Sequence, residues 1–385
     1  MLSIFKINTN PEKRYFGFDI VRAFSVLLVM HIHFLILIQK IVGFDVKRIP
    51  FPDPVDMFFV CSGFLIGYHH LKDIHKIGAV TPKYTARFLV MRWVRTLPSY
   101  YLLLTFIVVM TIVFTRKFYI PLDNYFFTSN LFSHNIKVYN ETWTIAIEEW
   151  FYFSFALIFY LIATVLNISK KKSFLFIVAF YILLSNFLKI YYFFNVYPDY
   201  SFMQYIHFKE IIVLRMDTIA VGLLAAYVCY FYEDFWHRNR YKFLAIGLVI
   251  YFGNMAYYWM IVNNYIHTQF STFYLFTFYY LVNPIGFMLF LPCLKTIKFK
   301  ESFLNHFILF TSNISYSIFL LHGTFFILVI GFCRILGFDA AKHLVITYIL
   351  WISFAYILSY LFYTKFELKV MNTRSKIIEK LKLKE

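Results

Sequence analysis

Charge is scarce in this chain. Only 15% of its 385 residues are Asp, Glu, Lys or Arg, against about a quarter in a soluble globular domain. That shortage excludes an ordinary water-soluble fold. Acidic residues are the scarcer sign, 20 against 37 basic, which gives a formal net charge of +17. Cysteine is also sparse. Cys61, Cys229, Cys293 and Cys333 are scattered, with neither metal-ligand spacing nor a disulfide framework. There is no phosphate-binding glycine loop and no zinc motif, nor is there an internal repeat or low-complexity tract. No segment is long enough to form a second domain. The longest polar stretch, about 115–143, can cover a site but cannot fold alone.

What the chain has instead is apolar surface. It is 61% hydrophobic and 23% aromatic, with 51 Phe and 32 Tyr and a mean hydropathy of +0.65. Such composition suits lipid-facing surfaces and interfacial belts. The first apolar run, Tyr15 to Gly43, holds Asp19, Arg22, His31 and His33. It fits a cleavable signal peptide poorly and reads as a retained span. Windows of about twenty apolar residues predict ten helices, near 15–43, 55–71, 87–114, 144–167, 173–194, 210–231, 243–262, 270–294, 307–333 and 341–364. The second is short, or partly re-entrant.

With the N-terminus in the cytoplasm, the inner segments hold 23 Lys and Arg and the outer ones 8. The positive-inside rule therefore supports ten spans with both termini cytoplasmic. Basic loops facing anionic lipid also account for the net charge without a nucleic-acid partner. The expected fold is an all-α polytopic membrane protein. Residues 1–371 form its integral domain. Residues 372–385 form a basic cytoplasmic tail, either an amphipathic helix on the inner membrane surface or a disordered segment.

Ionisable residues inside spans are costly and point to function. Arg22 and His33 are eleven residues apart, which leaves about 20° after three helical turns and roughly 16 Å of rise. Asp19 returns within about 40° of the same face. His31 lies half a turn from Arg22, so periodicity favours His33 as its partner and leaves His31 a packing role. Ser62 and Gly63 form a small pair that lets helices approach closely. Arg92 and Arg95 share a face. They suit either lipid headgroups or the phosphates that arginine forks bind. Trp143 opens a segment carrying the adjacent carboxylates Glu148 and Glu149. Their side chains diverge by about 100°, so one is expected to face inward. Arg215 and Asp217 suggest a charge pair fixing the bundle. His322 lies near the depth assigned to His33, as a core histidine or a site residue.

Taken in order, these stretches resemble the bacterial membrane acyltransferase-3 family. Asp19, Arg22 and His33 match its first helix, and FFVCSGFLI (Phe58–Ile66) its second. Arg92, Arg95, Leu97, Pro98, Tyr100 and Tyr101 match its third. Trp143 through Glu149, Arg215–Asp217, and Ser315, Tyr316, Ser317 with His322 complete the series. The departures are Ile20, Val21 and Ala23 beside Arg22, Thr144 and Ala146 where Ser is common, and Gly323-Thr324 after His322.

The resemblance implies transfer of an acyl group, commonly acetyl, from an acyl-CoA donor to a hydroxyl on an extracytoplasmic saccharide at the bacterial inner membrane. It implies no permanently bound cofactor and no metal. His33 is then the general base, oriented by Glu148. Arg22, Arg92 and Arg95 hold the donor. Asp19, Ser62, Trp143, Glu149, Arg215, Asp217 and His322 complete the binding site. A polytopic transporter for a saccharide or small metabolite is the alternative reading of the same buried charges.

Overall fold

The structure, a computed structural model, describes residues 14–43, 49–136, 138–196, 202–266, 268–335, 337–338 and 342–383. Lys6, Lys13, Lys47, Arg48, Lys137 and Lys384, which entered the charge comparison, lie outside the described residues. All regular structure among the described residues is helical. The chain runs α1 (Phe16–Val42), α2 (Pro54–Ile77), α3 (Pro82–Thr115), α4 (Leu122–Tyr125), α5 (Thr142–Tyr160), α6 (Lys170–Asn195), α7 (Phe202–Glu210) and α8 (Ile212–Phe231). It continues with α9 (Glu233–Arg238), α10 (Arg240–Val262), α11 (Gln269–Phe276), α12 (Tyr279–Met288), α13 (Leu291–Leu294), α14 (Phe303–Ile335), α15 (Leu344–Phe362), α16 (Leu368–Asn372) and α17 (Arg374–Lys380). π-helical turns at Leu161–Val165 and Tyr363–Glu367 extend α5 and α15.

Local sequence sets the helix ends. Asp53 accepts from the N–H groups of Val55 and Asp56 with Pro54 at the first helical position, and Thr81 accepts from Tyr84 ahead of Pro82. Both are strong N-terminal signals. Gly43 and Gly78 close α1 and α2 in the left-handed region, at φ 69° and 82°, where glycine has no Cβ to strain.

Eight helices among the described residues are long and apolar enough to cross a bilayer. A ninth is α11 with α12–α13, bent by 56°, where the sequence predicts one span over 270–294. The second expected span is an unbroken helix of 24 residues. Asp56, His69, His70 and Lys72 keep α2 out of the apolar group just described.

The chain divides into two compact units. The first holds residues 1–49, 94–103 and 295–374, and the second 50–93, 104–294 and 375–385. In the first unit α1 and α14 run parallel, since Asp19 meets Ser312 and His33 meets His322. α15 returns antiparallel to α14, pairing Thr311 with Tyr356 and His322 with Trp351. Phe34 stacks on the buried Trp351 at 5.7 Å.

In the second unit α2 and α8 also run parallel and nearly touch. A Cβ on Gly63 would lie 2.1 Å from the Ile219 carbonyl oxygen, and one on Gly222 would lie 2.2 Å from that of Val60. The close-packing role expected at Gly63 is thus met on α8. α6 and α5 pack beside α8 through Phe151, Phe155, Phe159 and Phe174, all fully buried.

Candidate active site

In the first unit the polar residues gather around Asp19, which is buried. Arg14 grips its carboxylate with two nitrogens, Nε at 3.1 Å and Nη2 closer still, and its Nη1 bonds Asn313 Oδ1. Ser312 Oγ donates to Asp19 at 2.7 Å, whereas Arg22 Nη1 reaches it only at 3.4 Å. The carboxylate is therefore held chiefly from the side of Arg14 and α14. Further along, Ser317 donates to Glu367 at 2.6 Å with both side chains buried. Arg95 is close enough to Glu367 to act on its charge. Tyr316 ties the same stretch of α14 to the Thr96 carbonyl at 2.8 Å.

The histidines of α1 separate as their phase requires. His31 bonds the Tyr348 hydroxyl at 3.2 Å, the packing role expected of it. His33 Nδ1 lies 2.6 Å from Nε2 of His322, with the rings nearly parallel at 22° and 4.8 Å apart. His322 is fully buried. Its Nδ1 meets the Phe319 carbonyl at 2.7 Å, and its own carbonyl accepts from Trp351 Nε1 at 3.0 Å. The sequence assigns Glu148 to orient His33. Within its own unit His33 meets His322.

In the second unit Arg92 stacks over the Tyr152 ring at 5.2 Å, and Ser62 hydrogen-bonds the Tyr152 hydroxyl. Trp143 packs edge-to-face with Phe59, and Lys209 Nζ lies 5.9 Å from the centre of the Trp143 ring. Of the adjacent carboxylates Glu149 is buried and Glu148 half-buried, so the expected divergence holds.

Arg215 and Asp217 do not pair with each other. Arg215 bonds Asp56 of α2, and Asp217 pairs with Lys189 of α6 at full burial. Residues two apart on a helix point to opposite sides, so each charge finds a partner on a different neighbour. Asn283 completes the first pair by donating to Asp56 at 2.9 Å, and Tyr280 lies 4.5 Å over the Arg215 guanidinium. Where α2 begins, Lys209 pairs with Asp53. Burial opposes the charged form of Asp53, but Lys209 and Arg215 hold its carboxyl below the ordinary value.

Sequence reasoning missed several of these residues. It counted Arg14 as a loop charge, although Arg14 lies five residues before Asp19. It passed over Lys189, a lone lysine within the apolar YILLSNFLKIYYFF, and Glu367, a lone acid at the end of the last long helix. An isolated charge inside a span was the signal available for Lys189, whereas Glu367 falls between Lys365 and Lys369 beyond the last predicted span.

A helical protein that crosses a membrane many times and keeps arginines, a buried carboxylate and paired histidines inside its bundle belongs among membrane enzymes or transporters. The comparisons decide between them. The sequence model described as Acyltransferase domain matches residues 15–365, and the chain belongs to this acyltransferase-3 family. It is a multi-pass membrane acyltransferase. No curated protein and no solved structure matches it.

Proposed function

We propose that this acyltransferase is an O-acetyltransferase of the bacterial inner membrane. It moves an acetyl group from cytoplasmic acetyl-CoA to a hydroxyl of an extracytoplasmic or lipid-linked saccharide, with His33 as general base. The observation that carries the reading is the placement of His33 on α1, in phase with Arg22 and about 16 Å from it, with its ring held against His322.

A hydroxyl attacks a thioester only as its proton leaves. His33 takes that proton as the acceptor oxygen bonds to the carbonyl carbon. The carbon–sulfur bond then breaks, and the proton on His33 passes to the departing thiolate of coenzyme A. Arg22 and Arg95 bind the donor's phosphates, as guanidinium forks do. The pantetheine arm extends along α1 toward His33. Asp19 orients Arg22, and Arg14 orients Asp19.

The test uses purified protein in lipid with acetyl-labelled acetyl-CoA and a panel of envelope saccharides. Wild type is expected to yield labelled ester, His33→Ala to yield none, and His31→Ala to retain most activity. Movement of an unmodified saccharide across the bilayer without ester would select the transporter reading. Full activity in folded His33→Ala would remove His33 from the chemistry.

A further inference from the structure

We infer that His322 is a positioning residue whose own tautomer decides which nitrogen of His33 takes the proton. The inference rests on His33 being the general base. It begins from the Phe319 carbonyl oxygen, which can only accept a hydrogen bond. That oxygen lies 2.7 Å from His322 Nδ1, so Nδ1 carries a hydrogen and donates it. His322 is fully buried, where a charged ring is costly. With Nδ1 protonated in a neutral ring, Nε2 holds a lone pair and accepts.

That lone pair meets Nδ1 of His33 at 2.6 Å. A hydrogen bond needs one hydrogen between the two nitrogens, and His322 has none to give there. His33 therefore donates through Nδ1 and keeps its lone pair on Nε2. The Nε2 atom is the one that receives the hydroxyl proton. On receiving it, His33 becomes an imidazolium whose Nδ1–H bond to His322 is charge-assisted and stronger. His322 thus does for His33 what a carboxylate does for histidine in a Ser-His-Asp site, but as a neutral acceptor.

The relay is anchored from behind. Trp351, buried on α15, donates through Nε1 to the His322 carbonyl at 3.0 Å, and Phe34, next to His33 on α1, stacks on the Trp351 ring. The helical turn from Phe319 to His322 is held in place by the helix that packs on it. The imidazole has no need to search for its acceptor.

Three substitutions test the chemistry, read as release of coenzyme A thiol from acetyl-CoA with an acceptor that wild type acetylates. His322→Ala is expected to lower kcat by roughly a hundredfold, the lower range of general-base effects, with the KM for acetyl-CoA changed less than about twofold. His322→Gln supplies an amide oxygen that accepts from His33 and is expected to restore about tenfold of that loss. His322→Lys offers only donors and is expected to restore nothing. A folded His322→Ala with kcat within twofold of wild type overturns the inference, as does rescue by Lys equal to rescue by Gln. If the alanine variant does not fold, the Gln and Lys comparison decides alone. Activity in His33→Ala would instead sink the base assignment beneath it. An inactive His33→Ala beside an unaffected His322 series would sink only the relay.

Discussion

Asp19 takes charge from two arginines unequally. Arg14 holds it with two nitrogens while Arg22 stands 3.4 Å away. Arg22 therefore shares its carboxylate with a second, more closely bound cation. Arg95 is placed similarly beside the buried Glu367. Arg95→Ala is expected to raise the KM for acetyl-CoA on the order of tenfold, the worth of one charged hydrogen bond, while the acceptor KM stays unchanged. Lysine should rescue only in part, because a point charge cannot replace a planar fork. Steady-state kinetics on purified protein with each substrate varied in turn would check it, and equal rises in both KM values would argue against a donor role. At this scale the sequence was informative wherever spacing along one helix carried the contact. The Asp19–Arg22 contact follows from the helical period, as do the different partners of His31 and His33. The His33–His322 contact did not follow, because 289 residues separate the partners and no periodicity links α1 to α14. Arg215 and Asp217 misled for the opposite reason: they are near in sequence but point apart.

The helices themselves were legible to within a few residues, because long apolar runs and end signals such as Asp53-Pro54 and Thr81-Pro82 are local. Their pairing was not. The contact of α2 with α8 depends on two glycines 159 residues apart that leave no room for a side chain, and only the α2 member stood out in sequence. Gly63→Ala is expected to destabilise the protein by about 3 kcal/mol, at the upper end of ordinary overpacking, because the obstacle is backbone. Gly253→Ala, with nothing within 4 Å of the added carbon, should be neutral or slightly stabilising by helix propensity. Thermal melting of the two variants in detergent would compare them, and equal melting temperatures would count against the close approach of α2 and α8. The bend between α11 and α12 also escaped the sequence. It falls at Thr277–Phe278, whereas the proline of that stretch, Pro284, lies inside α12 without breaking it.

Across the whole chain, helix direction bears on span count. Ten alternating spans require the second and sixth to run the same way and the first and ninth likewise. Both pairs are parallel, as Asp56–Arg215 with Gly63–Gly222 and Asp19–Ser312 with His33–His322 require. Which end faces the cytoplasm rests on the basic-residue bias and is open to labelling. Cysteines placed at Ser133 and Lys172, with the four native cysteines removed, should react oppositely with an impermeant thiol reagent on intact cells. Both positions are exposed, whereas the neighbouring Ser173 is fully buried and makes a poor probe. Ser133→Cys should label and Lys172→Cys should not; the reverse would invert the assignment of donor and acceptor sides.

The pairing of Arg215 with Asp56 and of Asp217 with Lys189 also bears on how the protein is made. Synthesis delivers α2 and α6 to the bilayer before α8, so Asp56 and Lys189 enter without their partners. Each can cost up to about 2.5–3.5 kcal/mol at the middle of a span and less toward its end. α8 then arrives with one cation and one anion and neutralises both at once. A ribosome that stops short of Ile212 leaves Asp56 and Lys189 without the partners that α8 brings.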